Sequence, residues 1–292
     1  MNEEPDWNLF RTFLAVLQEG SLSKAARRLA LTQPTVARHI DALEQSVGAD
    51  LFVRSQRGLA PTELAMELGP VAETLALNTA ALMRTASGRS GEMRGRVRVS
   101  ASEVVGVEHL PPILAQLRQR HPGLVIELVL SNAVDDLLRR EADIAVRNVE
   151  PEQGALIQRR LPSITLGLHA HRDYLDRKGT PRTLKALAGH DIIGFDRPTP
   201  AVRAVAALIP ALDRSTFALC ADSDLAQLAA IRAGFGIGFC QARIAQRDPN
   251  LVRVLPEEIA LDLGLWIVMH EDLKTNARCR AVFEALATGL QP

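Results

Sequence analysis

The chain has 292 residues, 47% of them apolar and 23% charged, a composition that excludes a disordered tail protein, a collagen-like fibre and a disulfide miniprotein. Its 34 Lys and Arg balance 34 Asp and Glu, so affinity for a nucleic acid has to come from local clustering and not from a global basic field. Cys220, Cys240 and Cys279 form an odd set with no C-x-x-C pair and no His partners at metal-ligand spacing. They read as buried thiols in a reducing compartment, with no metal expected.

The start Met1-Asn2-Glu3-Glu4-Pro5-Asp6 is acidic where a secretory signal is basic and then apolar. No stretch reaches the roughly 18 apolar residues of a membrane span, so a cytoplasmic chain with no membrane partner is expected. Phe10, Phe13, Leu14 and Leu17 recur at helical spacing up to Gly20, and Ala25, Ala26 and Leu29 share one face of a second helix. Thr32 can cap a third helix with Pro34 in its first turn and Val36, Ile40, Leu43 and Val47 as its apolar stripe. Three short helices, two of them joined by a tight turn, make a helix-turn-helix pattern. Leu51-Phe52-Val53 and Leu59-Ala60 then flank the polar turn Arg54-Ser55-Gln56-Arg57-Gly58, which reads as a small hairpin wing.

From Thr62 a long helix is expected, in which Leu64, Leu68, Val71, Leu75, Asn78 and Leu82 step by 4 and 3 as on a coiled-coil seam. Gly69-Pro70 should bend it, and Asn78 puts an amide on the seam. Ser87-Gly88-Arg89-Ser90-Gly91 is a plausible hinge. Beyond Arg96, strands are expected at Val97–Ala101, 124–130, 144–146, 164–168, 191–195, 216–220, 237–240 and 263–268, and helices at 110–118, 135–140, 225–232 and 274–286. Such alternation indicates a parallel sheet covered by helices on both faces.

Between Lys24 and Arg57 lie six basic residues, Lys24, Arg27, Arg28, Arg38, Arg54 and Arg57, against Asp41, Glu44 and Asp50. Cations on a small helical module can neutralise phosphates and release counterions. On the third helix Thr35, Arg38, Ala42 and Gln45 lie opposite the apolar stripe and Gln33 lies at the N-terminal end, where amide and guanidinium groups can read base edges in a major groove.

The segments Phe13-Leu14-Ala15-Val16, Gly20-Ser21-Leu22-Ser23-Lys24-Ala25-Ala26, Thr32-Gln33-Pro34-Thr35-Val36-Ala37-Arg38-His39-Ile40, Leu51-Phe52-Val53-Arg54 and Pro61-Thr62-Glu63 resemble the winged helix-turn-helix of LysR-type transcriptional regulators. The resemblance is dense over residues 7–66 and extends over the whole chain in length and element order. It implies that Gln33, Pro34, Thr35 and Arg38 face the major groove of double-stranded DNA, that Thr32 and Ser21 approach phosphates, and that Arg54 or Arg57 reaches the backbone or minor groove. Ala30 stands where the family often has glycine, and Leu64 follows Glu63 where alanine-glycine is usual. The long helix resembles the family's linker helix, whose antiparallel pairing implies a homodimer, commonly a dimer of dimers, with RNA polymerase as a further expected partner.

The family's effector-binding domain, similar in fold to periplasmic solute-binding proteins, is matched more loosely from residue 94, through Arg96-Val97-Arg98-Val99, Leu110-Pro111, His121-Pro122, Ala142-Asp143-Ile144-Ala145-Val146-Arg147 and Gly234-Phe235-Gly236-Ile237-Gly238. The fold expected is therefore an N-terminal all-α winged helix-turn-helix (1–61), a long linker helix and hinge (62–92) and a C-terminal α/β bilobed effector-binding domain (93–292). Its first lobe is placed at 93–163 and 267–292 and its second at 164–266. In such a fold a small organic effector lies between the lobes at strand C-terminal ends. The strand ends offer Ser100, Ser102, Ser131, Asn132, Arg147, Asn148, Phe195, Ser223, Phe239 and His270 as candidates, each of which serves equally as a helix cap or turn residue. Helix N-termini at Ser102 and Ser223 favour a small anion such as a carboxylate, and Arg147 could pair with it, with Glu103 and Asp196 as competitors.

An enzyme is not expected: there is no G-x-S-x-G elbow, no phosphate-cradling G-x-x-x-x-G-K and no H-E-x-x-H, and the alternating glycines at 234–238 follow a helix and lead into a strand, opposite to a dinucleotide fingerprint. No cofactor is expected either.

Overall fold

A computed structural model of the chain describes residues 6–55, 58–87, 93–132, 142–151, 156–197, 200–209 and 212–291. The described residues divide into two compact units, 6–83 and 84–291.

The first unit begins with α1 (Trp7–Glu19), capped by the Asp6 carboxylate and closed by Gly20 in the left-handed region. Next come α2 (Leu22–Leu29) and α3 (Gln33–Val47), then the antiparallel pair β1 (Phe52–Ser55) and β2 (Gly58–Pro61). The long α4 (Glu63–Ser87) closes the series. The apolar positions read as helix faces meet in one core of Phe13, Val16, Ala25, Val36, Ile40, Leu43 and Leu51. Two polar side chains, buried Thr12 and half-buried Glu44, fix the parts to one another. The Thr12 hydroxyl donates to the Asn8 carbonyl and lies 2.9 Å from His39 Nδ1, tying α1 to α3. Glu44 Oε1 accepts from the amides of Leu51 (2.7 Å) and Phe52 (3.1 Å), so the base of the wing hangs from α3.

α4 runs through Pro70 as one helix. Gly69 lets it close on α1, since a Cβ there would stand 2.8 Å from Leu17 Cδ2. The expected seam divides: Leu64 and Leu68 pack against the unit's own core, whereas Val71, Leu75 and Leu82 are exposed. The exposed part borders an apolar groove of about 510 Å³ lined by Phe10, Phe13, Val47, Leu68, Val71 and Leu75, with Asn78 at its edge.

In the second unit β3 (Gly95–Ala101) lies parallel to β4 (Leu124–Leu130) and β5 (Ile144–Arg147), with the π-helical turn Val105–His109 and α5 (Leu110–Arg120) between β3 and β4. β6 (Leu156–His171), α6 (Arg172–Lys178), β7 (Ile192–Gly194), α7 (Pro200–Leu208), β8 (Phe217–Cys220), α8 (Asp224–Arg232), β9 (Ile237–Gln241), α9 (Ala242–Ala245), β10 (Leu251–Val254), β11 (Leu261–His270) and α10 (Ala277–Gly289) follow. The helix expected at 135–140 falls outside the described residues. The last helix starts at Ala277 and not near 274, because Asn276 Oδ1 accepts the amides of Arg278 and Cys279 and sets the cap there.

The sheet corrects the expectation of uniform parallel pairing. Its described strands run in the order β4-β3-β5-β11-β6-β9-β7-β8, with β10 also on β6. Parallel triplets stand at both ends, but β11 and β6 pair antiparallel with each other and with their neighbours β5 and β9. These two long strands carry the chain between two lobes with separate cores. Leu161, Ile164, Leu265 and Ile267 pack with β3, α5 and α10 in the first. Leu168 and Ala170 pack with Tyr174, Leu187 and Ile237 in the second, whose other face holds Leu228, Ile231, Cys240 and Ile244.

Candidate nucleic-acid interface and effector cleft

The N-terminus of α3 presents several polar side chains at the surface. Thr32 stands at its N-cap, with Oγ1 accepting the Thr35 amide (3.3 Å) and lying 2.8 Å from the Thr35 hydroxyl. Pro34 occupies the first turn, where its missing N–H removes nothing from the helix. The Ser23 hydroxyl donates to Gln33 Oε1 (2.8 Å), which anchors that amide to α2 and leaves its NH2 group pointing away from the bond. Ser21 is the N-cap of α2 and makes no capping bond with its hydroxyl. Arg38 is exposed one turn along α3, and among the described residues it has neither a hydrogen bond nor an ion pair. Arg28 does have a partner, Glu19 at 3.4 Å. Of the acids near this face, Glu44 is directed to the wing. Arg54 lies on β1 opposite Leu59, and Arg57 falls outside the described residues. Ser23 and Glu44 escaped the sequence reading because their roles depend on partners ten and seven residues away, across a turn.

In the second unit most of the candidate residues stand at one end of the sheet, and they bind one another. Ser100 and Arg147 are 2% and 3% exposed, and Arg147 Nη2 donates to Ser100 Oγ at 2.7 Å while Nη1 donates to the Val146 carbonyl. Ser102 Oγ donates to Asn148 Oδ1 (3.2 Å), and Asn148 Nδ2 donates to the Gly264 carbonyl on the crossing strand. The Ser131 amide donates to the Ala101 carbonyl. Across the lobes, Ser223 Oγ donates to Glu103 Oε2 (2.9 Å) and accepts the Ala226 amide as N-cap of α8. Asn132 accepts the Glu103 amide (3.0 Å) and donates to Asp224 Oδ2 (2.9 Å). Burial raises the Asp224 carboxyl above its ordinary 3.8; the Asn132 hydrogen bond offsets part of this and the Glu103 charge adds to it.

Three expectations change. Glu103 pairs with Ser223, and Asp196 pairs with Arg214, so the geometry gives neither acid to Arg147. His270 lies at the wrong end of the sheet: β11 runs antiparallel to β5, with Trp266 opposite Arg147 and Met269 opposite Ile144. The end of β11 is thus about 13 Å beyond the cleft end, and His270 caps a turn through Asp272. Phe239 is half-buried and packs against the second-lobe core. Phe195 follows β7, half-buried, at the cleft end of the second lobe.

A second group between the lobes went unread in the sequence. Arg232 pairs with Glu108 through two contacts of 2.7 and 2.9 Å, and Arg247 donates to the Glu108 carbonyl (2.9 Å) and to His109 Nδ1 (3.1 Å). His109 Nε2 faces Gln241 Oε1 at 2.8 Å. With Nδ1 accepting from a guanidinium, the ring proton resides on Nε2 and the imidazole is neutral.

Two family models match the chain: the bacterial regulatory helix-turn-helix of the lysR family over residues 7–66, and the LysR substrate binding domain over residues 90–291. The chain therefore belongs to the LysR family of regulators, with a helix-turn-helix and a substrate-binding domain. The HTH-type transcriptional regulator CrgA of Neisseria meningitidis is 30% identical over 186 residues, which are 64% of this chain and 62% of that protein. The structure of CrgA from N. meningitidis superposes with a TM-score of 0.58 at 26% identity, covering 97% of this chain and 98% of the other. The fold is also that of full-length CbnR complexed with its target DNA, with a TM-score of 0.66 at 19% identity over 97% of this chain and 99% of that one. No helix among the described residues is long and apolar enough to cross a membrane, and no cluster of three or more metal-ligating side chains occurs among them.

Proposed function

We propose that this protein is a non-enzymatic, sequence-specific DNA-binding regulator of transcription whose residues 1–61 contact DNA, whose residues 62–92 hold two copies together, and whose residues 93–292 take up a small organic effector. The observation that supports DNA reading best is the exposed N-terminal face of α3, where Gln33 is anchored by Ser23 and Arg38 stands without a protein partner among the described residues. A guanidinium so placed is available for bidentate contact with guanine O6 and N7, and a glutamine for adenine. Thr35 and Pro34 face the major groove beside them, Thr32 and Ser21 offer hydroxyls to phosphates at two helix N-termini, and Arg54 or Arg57 is assigned to the backbone or minor groove. The exposed apolar side of α4, Val71, Leu75 and Leu82, supports pairing with a second copy, and two half-sites on the DNA follow from such a dimer. Assembly of two dimers, contact with RNA polymerase and a cytoplasmic location belong to the same reading.

The effector's charge depends on where in the cleft it sits. A carboxylate would have to meet the Ser100–Arg147 end, because Glu103 and Asp224 make the other end anionic. Selection from a random duplex pool with the full chain tests the DNA reading: a partly palindromic consensus with two similar half-sites is expected, and recovery of no consensus overturns it.

A further inference from the structure

The seam between the two lobes of the effector unit is built differently at its two ends. At one end Arg232, on the last turn of α8, meets Glu108 through two charge-assisted contacts, with Arg247 bound to the Glu108 carbonyl and to His109 and with His109 facing Gln241. Cations there outnumber the acid, and the Glu108 carboxyl is held below its ordinary value chiefly by the Arg232 hydrogen bonds. At the other end, about 12 Å away along α8, the contacts are Ser223 to Glu103 and Asn132 to Asp224. Among the described residues, the Glu103 and Asp224 carboxylates are linked there through the Ser223 hydroxyl and the Asn132 amide. Of the described cations of the second lobe, Arg197 pairs with Asp222 and Arg214 with Asp196. Hydrogen bonds to carboxylates favour closure, while the like charges and the burial of Asp224 oppose it. With one end ion-paired and the other self-repelling, the second is the end that yields first.

We propose that Glu103, Asn132, Ser223 and Asp224 form a breakable latch that holds the lobes closed at the cleft end, and that the seam between the lobes loosens when the latch breaks. An effector acts by breaking or replacing latch bonds, a step that rests on the reading of the cleft as the effector site; the latch itself is measured with no effector present. Its state changes how Val104, next to Glu103 on the first lobe, covers the second-lobe cluster that contains Cys240.

The three cysteines supply the measurement. Cys220 is exposed, Cys240 is 3% exposed beneath the seam, and Cys279 is 2% exposed in the first-lobe core. Burial raises the Cys240 thiol to about 11, so it reacts slowly and its rate of modification follows the fraction of time it is uncovered. The full-length protein is treated with iodoacetamide and each cysteine is followed by peptide mass spectrometry. Ser223→Ala and Asn132→Ala each delete one cross-lobe bond and should speed Cys240 modification about fivefold while Cys279 keeps its parental rate. Asp224→Asn keeps an acceptor for Asn132 and removes the charge, so it should slow Cys240; Glu103→Gln should do the same. Cys240 rates unchanged in the two alanine variants overturn the latch, as do Cys240 and Cys279 accelerating together, or faster modification in Asp224→Asn. Each outcome leaves selection of a DNA consensus unaffected as a test of the regulator reading.

Discussion

The two units treat their polar side chains in opposite ways. On the recognition face of the first, Ser21 makes no capping bond and Arg38 stands exposed with no protein partner among the described residues. In the cleft of the second, Ser100, Ser102, Asn132, Arg147, Asn148 and Ser223 are joined to other groups of the protein. A surface that meets a polyanion can stay open, because water solvates its groups until phosphates replace it. Polar groups buried between lobes are costly to leave unmatched, and here most of them pair with one another, so a ligand has to exchange bonds one for another. Exchange is what lets a ligand distinguish two arrangements of the lobes, and only differential affinity shifts an equilibrium.

The largest effect that sharpens this contrast comes from the buried guanidinium. Arg147→Met should lower the unfolding free energy by about 2–4 kcal/mol, measured by urea titration, because the buried Ser100 hydroxyl and Val146 carbonyl lose their donor. Arg38→Ala should leave unfolding within about 0.5 kcal/mol of the parent yet weaken cognate DNA by about 1–3 kcal/mol and relax discrimination at one base position. Arg54→Ala should weaken cognate and scrambled duplexes alike and reduce the salt slope by about 1. Equal losses of stability in Arg147→Met and Arg38→Ala would erase the difference between the units.

Much of the first unit was legible before any coordinates, because helix periodicity, Thr32, Pro34 and Gly20 act locally, within four residues of the features they set. The second unit was legible only as a succession of elements. Strand sense is a long-range property: nothing between residues 261 and 270 distinguishes a parallel from an antiparallel strand, and His270 was misplaced for that reason alone. The pairs that close the lobes, Glu103 with Ser223 and His109 with Gln241, are separated by 120 and 132 residues, and no spacing rule reaches so far. The available signal was weaker: Glu103 and Asp224 each follow a candidate serine, Ser102 and Ser223, at the start of a helix.

Asn78 tests the comparison from the side of the linker. Its Oδ1 is buried with no hydrogen-bond partner among the described residues, at the edge of the apolar groove beside α4. If this amide faces its symmetry mate or another polar group across a dimer, Asn78→Leu should raise dimer stability by about 1 kcal/mol while permitting other registers. Sedimentation over a dilution series reads both effects, and a clearly weaker dimer would remove Asn78 from the seam.

The Glu108–His109 end of the lobe seam carries a pH dependence of definite sign. Burial, more than the Arg247 and Arg243 charges, holds the His109 ring below its ordinary 6.5 against the Gln241 hydrogen bond. The unfolded chain therefore takes up a proton near pH 6.5 while the folded chain does so only at lower pH. This contribution to stability is complete above that value and is lost as pH falls toward the folded one, with a slope of at most about 1.4 kcal/mol per pH unit. His109→Gln should flatten that segment of a stability–pH curve measured by chemical denaturation; an unaltered curve would mean that His109 is as accessible to protons folded as unfolded.

The smallest expected effect lies in the turn between α2 and α3. Ala30 has φ of +55°, the left-handed region, where its amide bonds to the Ala26 and Arg27 carbonyls and the Leu31 amide closes on Ala26 at 2.9 Å. This is a helix stop that usually employs glycine, and the alanine Cβ opposes it by about 1 kcal/mol or more. Glycine would remove that strain and add about 0.5–1 kcal/mol of backbone entropy to the unfolded chain, so the two nearly cancel. Ala30→Gly should accordingly raise stability by no more than about 0.5 kcal/mol, read as a shift in the urea midpoint of the first unit, with DNA affinity unchanged because no recognition residue moves. A loss of affinity without a loss of stability would show instead that the stiffness of Ala30, and not only its conformation, holds Gln33 and Arg38 in place, extending the preformed character of this face into its turn.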